Sequence, residues 1–166
     1  ANADLFELIF AVERLGRKIG FAVEWNADQG RGTTEPFFLD VGAPTCVDRA
    51  ATDVPIPILD HEVAASEIVV LDSLVVEDIE VTVDISHTYQ GDLRVTLESP
   101  SGTTCILHDR TGSSTDNIVT WYDTETEPAE PLSIFNGENT FGTWTLIVED
   151  EAGGDTGALN GWQLEV

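Results

Sequence analysis

The chain has 166 residues, 42% of them hydrophobic, which is enough for one domain of ordinary size with a true core. Its 31 acidic residues against 7 basic ones give a net charge of -24, a surface that repels nucleic acid and anionic lipid and favours hard cations. No run approaches the roughly 18 apolar residues of a membrane helix, since Glu7, Glu13, Asp72 and Glu77 break the longest apolar clusters, so the sequence argues against nucleic-acid and membrane partners and reads as a soluble protein.

In chain order, Asp4-Leu5-Phe6-Glu7 has the form of a capping box opening a short helix, but Phe6, Leu8, Phe10 and Val12 also alternate with their neighbours as a strand does, and strand is the reading adopted. Ile19, Phe21, Val23 and Trp25 alternate cleanly. Turn residues follow from Asn26 to Gly32, and Phe37, Leu39 and Val41 resume the alternation, so residues 1–42 read as a β-hairpin segment. Pro44, Pro55 and Pro57 punctuate a stretch with little periodicity, read as a linker over 43–53 leading into a sandwich over 54–166. Strands are expected at Ile68–Leu71, Leu74–Val76, Ile79–Ile85, Leu93–Leu97, Cys105–Leu107 and Ile118–Trp121. The acidic stretch Asp123–Pro131 is expected to be a surface loop.

Two further expectations concern pairing. Ile79–Ile85 and Leu93–Leu97 read as two strands of one sheet, joined by Ser-His-Thr-Tyr-Gln-Gly-Asp. Trp144, Leu146 and Val148, then Trp162, Leu164 and Val166, read as a closing hairpin around the glycine-rich loop 150–157, with both tryptophans in one core. Many short strands with regular turn signals and almost no helical periodicity make the chain all-β, a β-sandwich.

His87-Thr88-Tyr89-Gln90-Gly91-Asp92-Leu93, with Leu97-Glu98-Ser99-Pro100-Ser101-Gly102-Thr103 after it, resembles the signature of the P domain, or Homo B domain. This module follows the catalytic domain in kexin- and furin-like proprotein convertases. A second block agrees in order: Phe135-Asn136-Gly137, Gly142-Thr143-Trp144-Thr145-Leu146, Val148, Asp150, Asp155-Thr156-Gly157, Leu159 and Trp162-Gln163-Leu164. The resemblance covers roughly residues 54–166 and implies a jelly-roll-like sandwich topology. The N-terminal hairpin resembles the closing strands of immunoglobulin-like domains that precede P domains in bacterial secreted proteases.

Catalytic patterns are thinly represented. There is no Gly-x-Ser-x-Gly elbow, no His-Glu-x-x-His helix, no phosphate-binding glycine loop and no zinc spacing. His87 reads as a hydrogen-bonding turn histidine, and His61 and His108 read as solvated rings beside Asp60 and Asp109. Cys46 and Cys105 fit no metal or redox spacing, and they either pair in an oxidising compartment or stay as reduced thiols. A single lysine, Lys18, in so acidic a chain suits high ionic strength. With no methionine and no leader pattern, the sequence reads as a processed piece of a longer secreted protein.

Carboxylates in loops carry the better chemical signal, because calcium takes oxygens from Asp, Glu, Asn and carbonyls on glycine-permitted bends. Asp150 and Asp155 form one candidate calcium group, and Asp109, Asp116 and Asn117 with Asp92 form another; Asp92 alternatively braces its own turn through backbone N–H bonds. The resemblance implies a non-catalytic module of a secreted serine-type or metallo-endopeptidase, stabilising the catalytic domain of the same precursor or helping it mature, and the loop carboxylates add Ca2+ as a stabilising ion. The competing readings are an extracellular module binding polysaccharide, collagen or a cell surface through Trp121, Tyr122 or Tyr89, and a self-standing hydrolase.

Overall fold

The structure, a computed structural model, describes residues 46–166 and four strands of the preceding stretch. Two compact units divide the chain, Ala1–Thr45 and Cys46–Val166. In the first, β1 (Lys18–Phe21) pairs antiparallel with β4 (Phe37–Asp40), and β2 (Glu24–Ala27) pairs with β3 (Gly30–Thr33). Phe21 stands opposite Phe37, and Glu24 stands opposite Thr33. Only positions 28 and 29 separate β2 from β3. The alternation read as strand over residues 6–12 lies outside the described residues.

The second unit is a β-sandwich with no α-helix among the described residues. One sheet runs β10 (Thr104–Asp109), β9 (Leu93–Glu98), β12 (Gly142–Asp150), β7 (Val63–Val70). The facing sheet runs β11 (Ile118–Tyr122), β8 (Glu80–His87), β13 (Gly157–Glu165), with the short strands β5 (Asp48–Ala50) and β6 (Ile56–Ile58) both on the far side of β13. All pairings between these strands are antiparallel. Two of these strands, β5 and β6, fall in or next to the stretch read as a linker; three residues give too little alternation to register as a strand.

Alternation decides which side chains go inward. Val81, Val83 and Ile85 of β8 and Leu159, Trp162 and Leu164 of β13 meet Leu93, Val95 and Leu97 of β9, Trp144, Leu146 and Val148 of β12, and Ile68 and Val70 of β7. Each such burial contributes about 1.5–3 kcal/mol for the larger side chains. Trp144 and Trp162 share this core, and the Phe135 ring meets Trp144 edge-on at 5.3 Å.

Two expected pairings are corrected. β8 and β9 do not pair with each other but lie in opposite sheets, and the same holds for β12 and β13. The supposed closing hairpin is therefore an arch across the core. Two strands facing one core from opposite sheets show the same period-2 pattern as two paired strands, so periodicity alone cannot separate the cases. Leu74–Val76 is likewise no strand; an isolated bridge from Val75 to Asn139, with bonds from Leu74 and Val76 to Gly137, Glu138 and Thr140, holds it.

Candidate functional site

The segment from His87 to Leu93 is the crossover from one sheet to the other. His87 ends β8, and a single 3-10 turn, Gln90–Asp92, delivers the chain to β9. The crossover closes on a buried pair: His87 Nε2 lies 3.3 Å from Asp150 Oδ2, with both side chains fully shielded from solvent. His87 stands on one sheet and Asp150 on the other, so the contact ties the two layers together. The second ring nitrogen, Nδ1, sits 3.0 Å from the Tyr89 carbonyl oxygen and 3.2 Å from the Tyr89 nitrogen. Asp150 Oδ1 accepts the N–H of Ala152 at 3.0 Å.

A second loop braces the crossover. Gln90 N and Gly91 N donate to the carbonyls of Thr115 and Ser113, and Asn117 closes both polar groups of His87: its Oδ1 accepts the His87 N–H at 3.0 Å while its own N–H donates to the His87 carbonyl at 2.8 Å. Asn117 adopts φ 61°, a left-handed conformation that Asn tolerates better than most residues. Gly112 has φ 80°, and a Cβ there would fall 2.1 Å from Gln90 Oε1. His108, expected to be solvated, is buried, with Nε2 3.1 Å from the Gln90 carbonyl oxygen. A β-bulge in β10 next to Ile106 lets two successive residues, Leu107 and His108, both turn inward, which simple alternation does not anticipate.

Outside this buried pair, two arginines pair with carboxylates at the surface. Arg94 reaches Asp109 at 3.1 Å and Glu151 at 2.7 Å, and Arg110 reaches Glu151 at 3.0 Å. Such exposed pairs add little to stability, because water and salt screen them.

The turn Ser99–Thr103 has a different anchor. The carboxylate of Glu138 accepts the Ser99 hydroxyl at 2.6 Å and the Thr103 hydroxyl beside it. Burial pushes the Glu138 carboxyl up, but the hydroxyls of Ser99, Thr103 and Ser101 outweigh it and hold the group below its ordinary value. Gly142 packs under the turn, where a Cβ would fall 2.7 Å from Pro100 Cβ.

The five aspartates named as calcium candidates are placed as follows. Asp150 faces His87, Asp155 accepts the Thr88 hydroxyl, and Asp109 pairs with Arg94. Asp92 is buried, and its bonds run through its backbone, from its N–H to the Tyr89 carbonyl and from the Glu151 N–H to its own carbonyl. Asp116 is exposed on the bracing loop. Among the described residues no three His, Cys, Asp or Glu side chains gather to hold a metal ion, so these carboxylates do not form a ready cage for an ion that takes six to eight oxygens.

Cys46 and Cys105 are both free. Cys46 donates to Glu165 Oε1 at 3.0 Å, and that hydrogen bond, with burial and the acid's charge, pushes its thiol up to about 11; burial raises Cys105 likewise to about 11. Neither is primed as a nucleophile. Of the aromatic residues considered as a platform, Trp121 is half exposed, whereas Tyr122 is buried, and burial pushes its hydroxyl far above the ordinary value. Glu138, which sequence reasoning missed, carries no sequence signal by itself, because its partners Ser99 and Thr103 lie 39 and 35 residues away, and Asn117, read as a calcium candidate, instead braces the His87 backbone.

The family model for the proprotein convertase P-domain matches residues 76–166, the span that holds the crossover, the hydroxyl-rich turn and the arch. The chain belongs to the proprotein convertase P-domain family. A calcium-dependent protease of Trichormus variabilis (strain ATCC 29413 / PCC 7937) is 37% identical over 126 residues, covering 74% of this chain and 18% of that protein. An extracellular basic protease of Dichelobacter nodosus is 40% identical over 88 residues, covering 52% of this chain and 13% of that protein. This P-domain chain thus spans less than a fifth of the length of either relative. The crystal structure of a serine protease of Aeromonas sobria superposes with a TM-score of 0.54 and 22% identity, over 75% of this chain and 27% of that one, a likeness of fold.

Proposed function

We propose that this P-domain is a non-catalytic module of a secreted endopeptidase, serine-type or metallo-, and that it docks on the catalytic domain of the same precursor to stabilise it and help it mature. The observation that carries this reading is an exposed apolar cluster at one end of the sandwich. Val70 pairs with Gly142 and Val75 bridges Asn139, which brings Leu71, Val75 and Phe141 to neighbouring positions, 74%, 64% and 57% exposed. Leaving three large apolar side chains in water gives up burial that a partner surface would restore. The protease relatives, each several times longer than this chain, supply the kind of partner, and the name of the Dichelobacter relative supports an extracellular setting.

The reading is tested in the full precursor. Leu71→Asp together with Phe141→Asp is expected to reduce the yield of mature, active protease at least tenfold, while Val119→Asp, an equally exposed residue on another strand, leaves it unchanged. The isolated P-domain is expected to show no turnover of casein or fluorogenic dibasic peptides. Normal maturation of the double variant would contradict docking, and turnover by the purified module would contradict the non-catalytic role.

Stabilisation by calcium is the other part of the proposal, resting on the name of the Trichormus relative and on the acidic loop 150–155. Since the donors are not gathered, binding has to order that loop afresh. Melting in EDTA, calcium and magnesium decides it: at a hundredfold excess over the dissociation constant the gain is about 2.7 kcal/mol. A calcium-specific rise that disappears in Asp155→Ala supports the ion, and identical curves in all three buffers remove it.

A further inference from the structure

Strands at the edge of a sheet leave N–H and C=O groups open to pairing with another chain, and proteins blunt such edges. The two edges of the sheet β10-β9-β12-β7 are blunted by the same device. On β10 the N–H of Ile106 donates to Glu130 Oε2 at 2.8 Å, and the N–H groups of Ala129 and Glu130 donate to the Leu107 and Ile106 carbonyls. On β7 the N–H of Glu67 donates to Asp53 Oδ2 at 2.9 Å. Among the described residues no backbone hydrogen bond joins that of Asp53 there, so the bonding slot of β7 is filled by a side chain alone, although β5 and β6 pass beside the strand.

The guard is anchored from the interior. Trp162 Nε1, on the opposite sheet, donates to the buried Ser66 hydroxyl at 2.7 Å, and that hydroxyl donates to Asp53 Oδ1 at 2.5 Å. One carboxylate oxygen is thereby held by the core and the other by the edge. Burial pushes the Asp53 carboxyl up, but the bonds from Ser66 and the Glu67 N–H prevail and keep it below the ordinary value.

Because ladder bonds alternate along a strand, the N–H groups of Ala65 and Val69 face the same outer side as that of Glu67. The side chains of Val63, Ala65, Glu67 and Val69 all point to solvent. A second copy of β7, antiparallel and centred on Ser66, would set Val63 opposite Val69 and Ala65 opposite Glu67. Every residue in that register offers an outward N–H and C=O, the valines meet each other, and no carboxylate stands opposite another. The edge offers itself matching outward donors and acceptors except where Asp53 occupies it, and the two Glu67 carboxylates stand diagonally rather than opposite each other.

We propose that Asp53 guards this edge: its carboxylate fills the hydrogen-bonding slot that β7 of a second copy would use, and so keeps the protein from pairing edge to edge.

Sedimentation at about 1 M NaCl, where the Debye length is about 3 Å and repulsion between acidic copies is screened, reads the outcome. The unaltered protein is expected to stay monomeric. Asp53→Ala is expected to raise the mass up to twofold, and Val69→Lys added to it to restore the monomer. Asp53→Asn, which keeps an oxygen in the slot, is expected to stay monomeric, separating the slot from the charge. A folded, monomeric Asp53→Ala protein overturns the proposal; so does association that ignores Val69→Lys, or an Asp53→Asn protein that associates as Asp53→Ala does. Should Asp53→Ala fail to fold, amide exchange in the unaltered protein decides: the Glu67 amide should exchange at least tenfold more slowly than those of Ala65 and Val69, and equal rates overturn the guard.

Discussion

Residues 87–93 carry the chain from one sheet to the other, whereas residues 99–103 turn it back within one sheet, between β9 and β10. Both belong to the family signature, yet they are fastened by different means. The crossover is locked by a fully buried His87–Asp150 contact that spans the sandwich, and the turn is held at the rim by hydroxyls on Glu138. Signature residues therefore mark two separate tasks, joining the layers and closing a hairpin, and the first should matter more to stability than the second.

The largest effect should come from the crossover. His87→Ala or Asp150→Ala leaves the other group buried without its partner, and a loss of about 3–5 kcal/mol is expected in urea unfolding. A loss no greater than that of a rim substitution would erase the distinction between the turns.

Next comes the loop that braces the crossover. Gly112→Ala combines a left-handed backbone with a Cβ close to Gln90 Oε1, and an expected cost of about 1–3 kcal/mol follows. Gly102→Ala, in the rim turn, has φ 83° but open space around it, so it should cost less, about 1–2 kcal/mol.

The rim turn should show itself chiefly in acid. The folded-state pKa of Glu138 is lowered relative to the unfolded chain, so its stabilisation is complete above the unfolded value near 4 and disappears as pH falls through the lower folded value. Glu138→Gln should therefore cost about 1 kcal/mol at pH 7 and flatten the acid limb of the stability curve below about pH 4. An unchanged acid limb would show that the hydroxyls do not favour the ionised form.

The same contrast explains what the sequence made legible. Alternation at 79–85, 93–97, 144–148 and 162–164 located strands and their inward faces correctly, because burial of Val81, Leu97, Trp144 or Leu164 depends only on the face each presents. Sheet membership escaped it, since the arch from β12 to β13 and a hairpin bury the same residues. The His87 segment stood out by resemblance, and its role as a hydrogen-bonded turn histidine agrees with its bonds to Tyr89 and Asp150. Its loop and its charge make Asp150 read as a calcium ligand, but the structure turns it inward to His87, a contact between residues 63 apart that no local pattern encodes. His108 reads as solvated from the sequence but is buried, because the bulge in β10 breaks the simple alternation of that strand.

The central claim, that this P-domain stabilises a protease by docking through the Leu71, Val75 and Phe141 end, is tested most directly by calorimetry of the full precursor beside the isolated module. Leu71→Asp with Phe141→Asp should leave the melting of the isolated module within about 0.5 kcal/mol of the unaltered protein, as expected for exposed sites, while lowering the unfolding temperature of the catalytic domain in the precursor. A catalytic domain that melts at the same temperature with and without the two substitutions would contradict the claim.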